Sequence, residues 1–478
     1  MMKGRDAYLT VYLTLCLTLI LSLYLVLIDG ARRNGAGLEA VCATEAGLQS
    51  IMAEYHRELL EQYNLFAIDS SYGTPVSGRK NTEAHLMEYI KTNLSIHDVF
   101  LADYLYRDFF GLHADDAELT GVSILTDGEG AVFRDRAIEA VKDDVGLHLL
   151  EELEEWMQII EVNGLEASVP EEEKREIDEK IEEFNGTEIK ISDDESTYVQ
   201  IENPTLQLEE KRHLGILSLV TDEELSENVI NTEGLIQNRM KQGTINHGNM
   251  ALPDCNDLLS RFLFQEYLLR YMDFFGDIQE EDALQYQIEY LIVGKDSDID
   301  NLRSIANRIS ILREAANAAY LLADKEKRLE IQGAATLVCG AFALPELIPL
   351  VEAAILLGWA YAESIYDVKS LFSGGKIPLM KDKDSWHYSL ESALTGELQD
   401  NGQENSGLAY KDYLRIFMML TNLDLLTARA MDMVEADIRL TDENRNFRLD
   451  ACYDGLEVSV GISSSFGYKF VIERERTY

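Results

Sequence analysis

The sequence has only five cysteines in 478 residues, and their spacing excludes two classes of architecture. No CxxC pair or compact series occurs, so the chain is neither a disulfide scaffold nor a zinc-site protein. Cys16 and Cys42 lie within and just beyond the N-terminal apolar run, and Cys339 stands alone. The sequence leaves open whether Cys255 and Cys452 form a bridge.

Basic residues are also scarce, because 42 Lys and Arg stand against 86 Asp and Glu, which gives a net charge of −44. A surface this acidic repels phosphate backbones, so we expect no nucleic acid among the partners. With 46% hydrophobic residues the chain can still bury a substantial core. The composition is typical of a well-solvated acidic protein.

Recognisable catalytic motifs are missing. The sequence has no HExxH and no GxSxG, and neither His85-x-x-Glu88 nor His387 has a second histidine at metal-binding spacing. Residues 373–376 (SGGK) lack the earlier glycine of a phosphate loop and predict a turn. Residues 296–301 (DSDIDN) resemble the start of a calcium loop but lack its glycine and its glutamate, so we assign them to helix capping. We therefore expect no enzyme activity, no catalytic residues, no cofactor and no metal.

One long hydrophobic run is present, at the N-terminus. Residues 7–28, AYLTVYLTLCLTLILSLYLVLI, are uncharged. As a helix with a rise of about 1.5 Å per residue, they would extend roughly 33 Å, which matches the hydrocarbon core of a bilayer. Asp29, Arg32 and Arg33 follow in place of a small-residue cleavage site, so the segment is predicted to be an uncleaved signal anchor.

The orientation of this anchor is argued mainly from length. Lys3 and Arg5 before it are nearly balanced by Arg32 and Arg33 after it, so the positive-inside rule decides little. The head, residues 1–6, is short enough to stay in the cytoplasm. We therefore expect a single-pass protein of the cell membrane, whose bulk lies outside the cytoplasm and whose residues 7–28 contact the lipid bilayer.

A polar stripe runs along the anchor, where Thr10, Thr14, Thr18 and Ser22 recur at every fourth position. Small polar side chains let helices approach closely and form hydrogen bonds in lipid. The stripe therefore predicts a weak helix-association surface. The alternative is that each hydroxyl bonds back to a carbonyl of its own helix.

Residues 29–66 are predicted to continue as a slim juxtamembrane helix. Apolar side chains recur there at three-, four- and seven-residue steps, with small residues between them: Leu38, Val41, Leu48, Met52, Tyr55 and Leu59. Such a helix is typical of pilin-like subunits whose anchor helices bundle. The alternative is an ordinary helix that packs on its own domain.

The rest of the chain is predicted to form two units. Residues 67–210 are an acidic α+β unit, with strands at 119–125 and 189–201 and a capping box at 168–171. Residues 211–478 are a helical unit closed by a C-terminal β hairpin.

Within the second unit, amphipathic helices are predicted at residues 261–275, 283–292 and 302–324. Residues 331–361 are strongly apolar, but Pro345 and Pro349 divide them into runs too short to cross a membrane, which favours a buried helical hairpin. The predicted fold class is therefore α+β and predominantly helical, with an N-terminal transmembrane helix.

Five blocks of sequence, spread over essentially the whole chain, point to a family. They are the N-terminal run at 10–73, FLFQEYLL at 262–269, LREAANAAYLL at 312–322, WAYAESIYDVKSLFSGGKIPLM at 359–380, and FRLD at 447–450 with Gly467-Tyr468. These blocks resemble a domain-of-unknown-function family of membrane proteins from Gram-positive anaerobes.

The resemblance implies membrane anchoring and genes that lie beside those of tight-adherence (Tad, or Flp) pilus systems. The N-terminus is similar to pseudopilin-like minor subunits, although Arg5 and Asp6 follow Gly4 and the apolar segment lacks the glutamate of a processed prepilin. The family has no established catalytic residues.

We therefore expect an extracytoplasmic structural or assembly component of a Tad-like pilus or related secretion apparatus. Its partners would be membrane subunits of that apparatus. The alternative is a membrane-tethered ligand-binding or sensor module at the cell surface.

Overall fold

Helices dominate the fold, and the strands form small antiparallel sheets. The computed structural model describes residues 3–95, 110–146, 148–165, 179–180, 188–192, 195–198, 215–221, 224–279, 282–340, 347–395 and 406–478. The predicted predominantly helical α+β class is confirmed. The predicted capping box at 168–171 lies outside the described residues.

The helices and strands are labelled in chain order. The helices are α1 (Lys3–Met52), α2 (Arg57–Tyr63), α3 (Arg79–Leu94), α4 (Asp127–Val141), α5 (His148–Val162), α6 (Leu217–Val220), α7 (Ile236–Gln242), α8 (Leu258–Tyr271), α9 (Gln287–Val293), α10 (Asp298–Ala323), α11 (Lys325–Gly340), α12 (Ile348–Phe372), α13 (Leu390–Thr395), α14 (Tyr410–Leu420) and α15 (Leu423–Leu440). The strands are β1 (Ile68–Asp69), β2 (Leu112–Ile124), β3 (Glu188–Ser192), β4 (Glu195–Tyr198), β5 (Lys376–Ile377), β6 (Leu408–Ala409), β7 (Cys452–Ser464) and β8 (Lys469–Thr477).

The chain forms two compact units, each built from separate stretches of sequence. Unit 1 combines residues 1–140, 234–255 and 434–478, and unit 2 combines residues 141–233 and 256–433. This division differs from the predicted boundary near residue 210. The reason is that C-terminal β7 pairs with β1 and β2 from the first part of the chain, a long-range pairing that local sequence patterns do not reveal.

Helix α1 runs without a break from the apolar segment into unit 1. Its 50 residues extend about 75 Å at about 1.5 Å per residue. The large apolar side chains from Tyr8 to Ile28 are 44–81% exposed, whereas Ala36, Ala40 and Leu48 are buried. One half of α1 therefore presents an apolar surface, and the other half belongs to a protein core.

The predicted slim helix over residues 29–66 is wrong in its extent, because α1 ends at Met52. The backbone amide of His56 donates instead to the carbonyl of Ala67, at 2.8 Å, which draws the chain out of the helix. The His56 side chain then caps α2 by accepting from the Leu59 amide at 3.2 Å. A side-chain cap of this kind stabilises the start of a new helix.

The core of unit 1 lies between one face of a four-stranded sheet and the helices α1 and α3. Strand β7 is central, with β2 along one edge and β1 and β8 along the other, all antiparallel. The predicted strand at 119–125 and the predicted C-terminal hairpin are confirmed as β2 and as β7–β8. Alternate residues of β7 face the core: Leu456, Val458, Val460 and Ile462.

Unit 2 is built around α12, which packs against α10 and α11. The helices predicted at 261–275, 283–292 and 302–324 correspond to α8, α9 and α10. Helix α12 is long and apolar enough to cross a membrane, but 61% of its most apolar window is buried, so it is a core helix. The prediction that residues 331–361 contain only runs too short to cross a membrane is therefore wrong for α12, whereas its predicted burial is confirmed. In α11, Ile331 and Cys339 are buried and Leu337 is exposed. Residues 341–346, where the predicted hairpin would turn, lie outside the described residues.

The strands predicted at 189–201 form the hairpin β3–β4. Residues 199–201 of that prediction lie outside the described residues. The predicted turn is confirmed at residues 373–375, with Gly374 at a φ of +81°, and Lys376 already begins β5.

Candidate functional site

The predicted association stripe lies on the exposed half of α1. The hydroxyls of Thr14, Thr18 and Ser22 each donate to the carbonyl three residues earlier, at 2.9 Å. These bonds agree with the alternative interpretation, in which each hydroxyl bonds to a carbonyl of its own helix. The carbonyl lies three residues earlier in the sequence. Thr10 is exposed on the same segment. Whether the stripe also contacts other helices stays a prediction.

The small residues in the second half of α1 face its own unit. A Cβ added at Gly47 would meet Ile90 Cγ1 of α3 at 2.8 Å, and one added at Gly37 would meet Phe470 of β8 at 3.2 Å. Gly35 is similarly close to Phe110. The slim face of α1 thus permits close packing inside unit 1. Of the two interpretations of this helix, the structure therefore agrees with packing on its own domain.

A contact cluster joins the first turns after the apolar segment to the turn between β7 and β8. The Tyr468 hydroxyl donates to the Asp29 carboxylate. The guanidinium of Arg32 lies 4.1 Å from the centroid of the Phe466 ring, a cation–π contact. The hydrogen bond to Asp29 is the main reason why the pKa of Tyr468 is raised. We call residues 464–468 the hairpin tip.

Further contacts hold the second half of α1 against unit 1. Arg474 of β8 forms an ion pair with Glu45 at 3.0 Å, and the Tyr478 hydroxyl donates to the Met52 carbonyl. Contacts with unit 1 therefore extend from Asp29 to Met52, the last residue of the helix. The apolar segment continues from this packed part of α1 without a break in the helix.

A second candidate lies in unit 2, where four charged side chains have no exposed surface: Arg313, Glu363, Asp367 and Lys381. Arg313 Nε donates to Asp367 Oδ2 at 2.9 Å, and Lys381 Nζ lies 2.6 Å from Asp367 Oδ1. Lys381 also donates to Glu363. We call these four residues the buried ion cluster, in which two positive and two negative charges balance.

The buried ion cluster fastens the loop that follows α12. Glu363 accepts from the backbone amides of His387 and Tyr388, both at 3.0 Å. Arg313 donates to the carbonyls of Pro378 and Leu379 at 2.9 and 2.7 Å. The cluster therefore replaces the hydrogen bonds that these buried backbone groups would otherwise make with water.

The electrostatics of Glu363 are consistent with this fastening role. Burial alone would raise the pKa of the Glu363 carboxyl, but hydrogen bonds from His387 and the charge of Lys381 lower it to about 2. The carboxylate is thus ionised and occupied by donors, and a group in that state is poorly suited to take up a proton from a substrate.

A similar cluster in unit 1 accounts for part of the FRLD block. Arg239 of α7 contacts Glu435 at 2.7 Å and Asp450 at 2.9 Å, and Arg448 contacts Asp450 at 2.7 Å. Burial raises the pKa of Asp450, but the two arginines outweigh it and the net shift is downward. These pairs fix the start of β7 to α7 and α15.

In the calcium-like segment, Asp298 and Asp300 lie in the first turn of α10, as the capping assignment predicts, but the hydrogen bonds of Asp298 go elsewhere. The Asp298 carboxylate accepts from the backbone amides of Gln285 and Tyr286, at 2.9 and 3.1 Å, and from the Ser226 hydroxyl at 2.6 Å. It therefore caps the segment before α9, whereas the prediction was that it caps its own helix. Over the residues that the structure describes, no group of three or more His, Cys, Asp or Glu side chains is arranged to hold a metal.

Cys255 and Cys452 do not form a bridge. Both are buried free thiols in unit 1, and each donates weakly to a backbone carbonyl at 3.5 Å, Ala131 for Cys255 and Arg448 for Cys452. Burial raises the pKa of both thiols, which keeps them in the unreactive thiol form.

These features define a class: an α+β protein with an apolar helix, long enough to span a membrane, mounted on a sheet-containing unit. Residues 194–464 match the model of a family described as a family of unknown function (DUF5702). The match covers more than half of the chain, so the protein belongs to the DUF5702 family. No curated protein and no solved structure matches the chain.

Proposed function

We propose that the protein is a membrane-anchored structural or assembly component of a Tad-like (Flp) pilus or related secretion apparatus. In this proposal residues 1–6 lie in the cytoplasm, residues 7–28 cross the bilayer as an uncleaved anchor, and the rest lies outside. The observation that carries the proposal is the continuity of α1, with an exposed apolar half and a half packed into unit 1.

The packing of the second half of α1 on unit 1 supports an assembly role. Because its small-residue face is used inside unit 1, the surface left for other membrane helices is the apolar segment with its Thr/Ser stripe. The link to a Tad-like pilus is supported by the resemblance of the N-terminal run to pseudopilin-like subunits.

Site-specific photo-crosslinking in native membranes tests this proposal. A photo-reactive residue at Thr18 should yield adducts with membrane subunits of the apparatus, because Thr18 lies on the stripe. Ile20 is a matched control, since two residues rotate the helix by about 200° and its side chain is also exposed. Adducts from Ile20 alone, or normal surface pili after deletion of the gene, would contradict the proposal.

A second candidate function, a tethered ligand-binding or sensor module, is favoured by one observation. Unit 2 contains an open groove of about 430 Å³. Its lining is mainly apolar with an acidic rim: Leu150, Leu153, Glu154, Met157, Gln158, Glu161, Leu258 and Met419. A strong thermal shift with a small ligand, abolished by Met157→Glu, would favour this function over the first.

A further inference from the structure

The hairpin tip lies close to the predicted membrane surface along α1. Arg32 is four residues beyond Ile28, which is about 6 Å along the helix axis. Side chains on a helix tilt toward its N-terminus, so the Arg32 guanidinium points back toward the apolar segment. The Phe466 ring that it contacts is therefore brought down to roughly the level at which that segment ends.

Tyr468 gives an independent measure of the same height. Its hydroxyl donates to Asp29, the first residue after the apolar segment. Phe466 and Tyr468 thus both contact α1 within the four residues that follow Ile28. Phe466 is 48% exposed although it is a large apolar residue.

From this geometry we propose that the hairpin tip is a second membrane contact, with Phe466 and Tyr468 seated in the interfacial layer of the bilayer beside α1. Aromatic rings favour this layer, because one side of it is apolar and the other is wet. Arg32 and Arg33 place cations at the same level, which suits phosphate headgroups. The contact would set the depth and tilt of unit 1 on the membrane. It rests on the proposed anchoring by residues 7–28.

Depth-dependent fluorescence quenching tests this inference. The full chain is reconstituted in phosphatidylcholine and phosphatidylglycerol vesicles that contain lipids brominated either near the headgroup or near the chain end. Phe466→Trp is compared with the parent protein, whose native tryptophans supply the background. Leu19→Trp, in the middle of the apolar segment, reports on the anchor itself.

Val76→Trp is the matched negative control. Val76 is an exposed apolar residue of unit 1, at 70% exposure, and it precedes α3. His85 of α3 contacts Glu54, just past the end of α1, so Val76 lies near the opposite end of the helix from the membrane. Any quenching of Val76→Trp measures contact between unit 1 and lipid that does not involve the hairpin tip.

The expected result is that Phe466→Trp is quenched more by shallow than by deep bromine, Leu19→Trp shows the reverse order, and Val76→Trp is not quenched. If Phe466→Trp behaves like Val76→Trp while Leu19→Trp is quenched, the hairpin tip does not touch the bilayer and the inference is overturned, although the anchor stands. If Leu19→Trp is not quenched, the anchor and the inference both fail.

Discussion

Lys381 and Lys383 are two residues apart, and both form ion pairs with glutamate, yet their surroundings differ completely. Lys381 and its partners Glu363 and Asp367 have no exposed side-chain surface. Lys383 and its partner Glu326 are each 74% exposed. An ion pair in water contributes little to stability, whereas a buried pair that loses one member leaves an uncompensated charge.

We therefore predict that Lys381→Met destabilises unit 2 by about 3–5 kcal/mol, because Glu363 and Asp367 stay buried without their shared cation. Denaturant unfolding of the full chain in detergent, followed by tryptophan fluorescence, measures this loss. Lys383→Met is the control and should leave the midpoint unchanged. Equal effects of the two substitutions would contradict the assignment of the buried ion cluster.

Glu289 is another fully buried carboxyl of unit 2. Burial raises its pKa from 4.5 to about 7, although Tyr410 donates to it at 2.6 Å and the Phe275 amide donates at 3.0 Å. The pKa is higher in the folded state than in the unfolded state. The contribution of Glu289 to the free energy of unfolding is therefore greatest below about pH 4.5 and falls as the pH rises toward 7.

We predict that Glu289→Gln removes this dependence, because the amide keeps an acceptor for Tyr410 without a charge. Relative to the parent protein, the variant should gain up to about 3 kcal/mol of stability between pH 4 and pH 8. Unfolding midpoints at the two pH values measure the gain. Glu391→Gln, on the exposed side of α13, serves as the control, and an equal pH response of both variants would overturn the prediction.

At the residue scale the sequence could have flagged part of the buried ion cluster. Glu363 and Asp367 are carboxylates one turn apart within the apolar helix α12, a pattern that is costly unless both are paired. Their partners could not be predicted, because Arg313 lies 54 residues from Asp367 and Lys381 lies 18 residues from Glu363. Nothing in the local pattern ties those positions together.

At the scale of elements, α1 shows what periodicity and composition can predict. The apolar run over residues 7–28 and its continuation as a helix are evident from composition. The small residues between the apolar ones were also evident. Their partner was not, because close packing on another anchor and close packing on α3 require the same small side chains.

We predict that Gly47→Ala loosens the packing of α1 on α3. Alanine normally stabilises a helix relative to glycine by about 1 kcal/mol, but here the new methyl group would overlap buried Ile90. Overpacking of this kind typically costs about 1–3 kcal/mol. The unfolding midpoint of the full chain in detergent measures the net loss.

Gly30→Ala is the control for this substitution. It makes the same change in the same helix, where the added Cβ would have nothing within 4 Å. The control should not lose stability. A loss of equal size in both variants would show that α1 tolerates neither methyl group, and the close-packing account of Gly47 would be wrong.

The strands show a similar limit. Alternation in the C-terminal residues correctly predicts the β7–β8 hairpin, and the structure shows that the apolar positions of β7 face the core. It cannot show that β2, more than 300 residues earlier, pairs with the other edge of β7. The hairpin tip was missed for the same reason. The position of Phe466 and Tyr468 beside the end of the apolar segment is evident only from their contacts with Arg32 and Asp29.

At the scale of the whole molecule, the chain passes back and forth between two units. The sequence-based division at residue 210 assumed that neighbouring segments share a unit, and β7 breaks that assumption. The DUF5702 match over residues 194–464 includes parts of both units. Helix α1 lies before that match, so the anchoring argument rests on the apolar segment and its junction with unit 1.

The distribution of cysteines allows a direct test of that anchoring. Cys42 is exposed and lies 14 residues beyond Ile28, which is about 21 Å along α1. Cys16 lies within the apolar segment, and Cys255, Cys339 and Cys452 are buried. Cys42 is therefore the thiol that a reagent outside the membrane should reach first.

Labelling of intact protoplasts with a membrane-impermeant maleimide is the decisive measurement. The account predicts that the full chain is labelled before lysis, that Cys42→Ser abolishes this labelling, and that the protein sediments with membranes until detergent is added. Labelling of Cys42 only after lysis, or recovery of the chain in the soluble fraction, would contradict it.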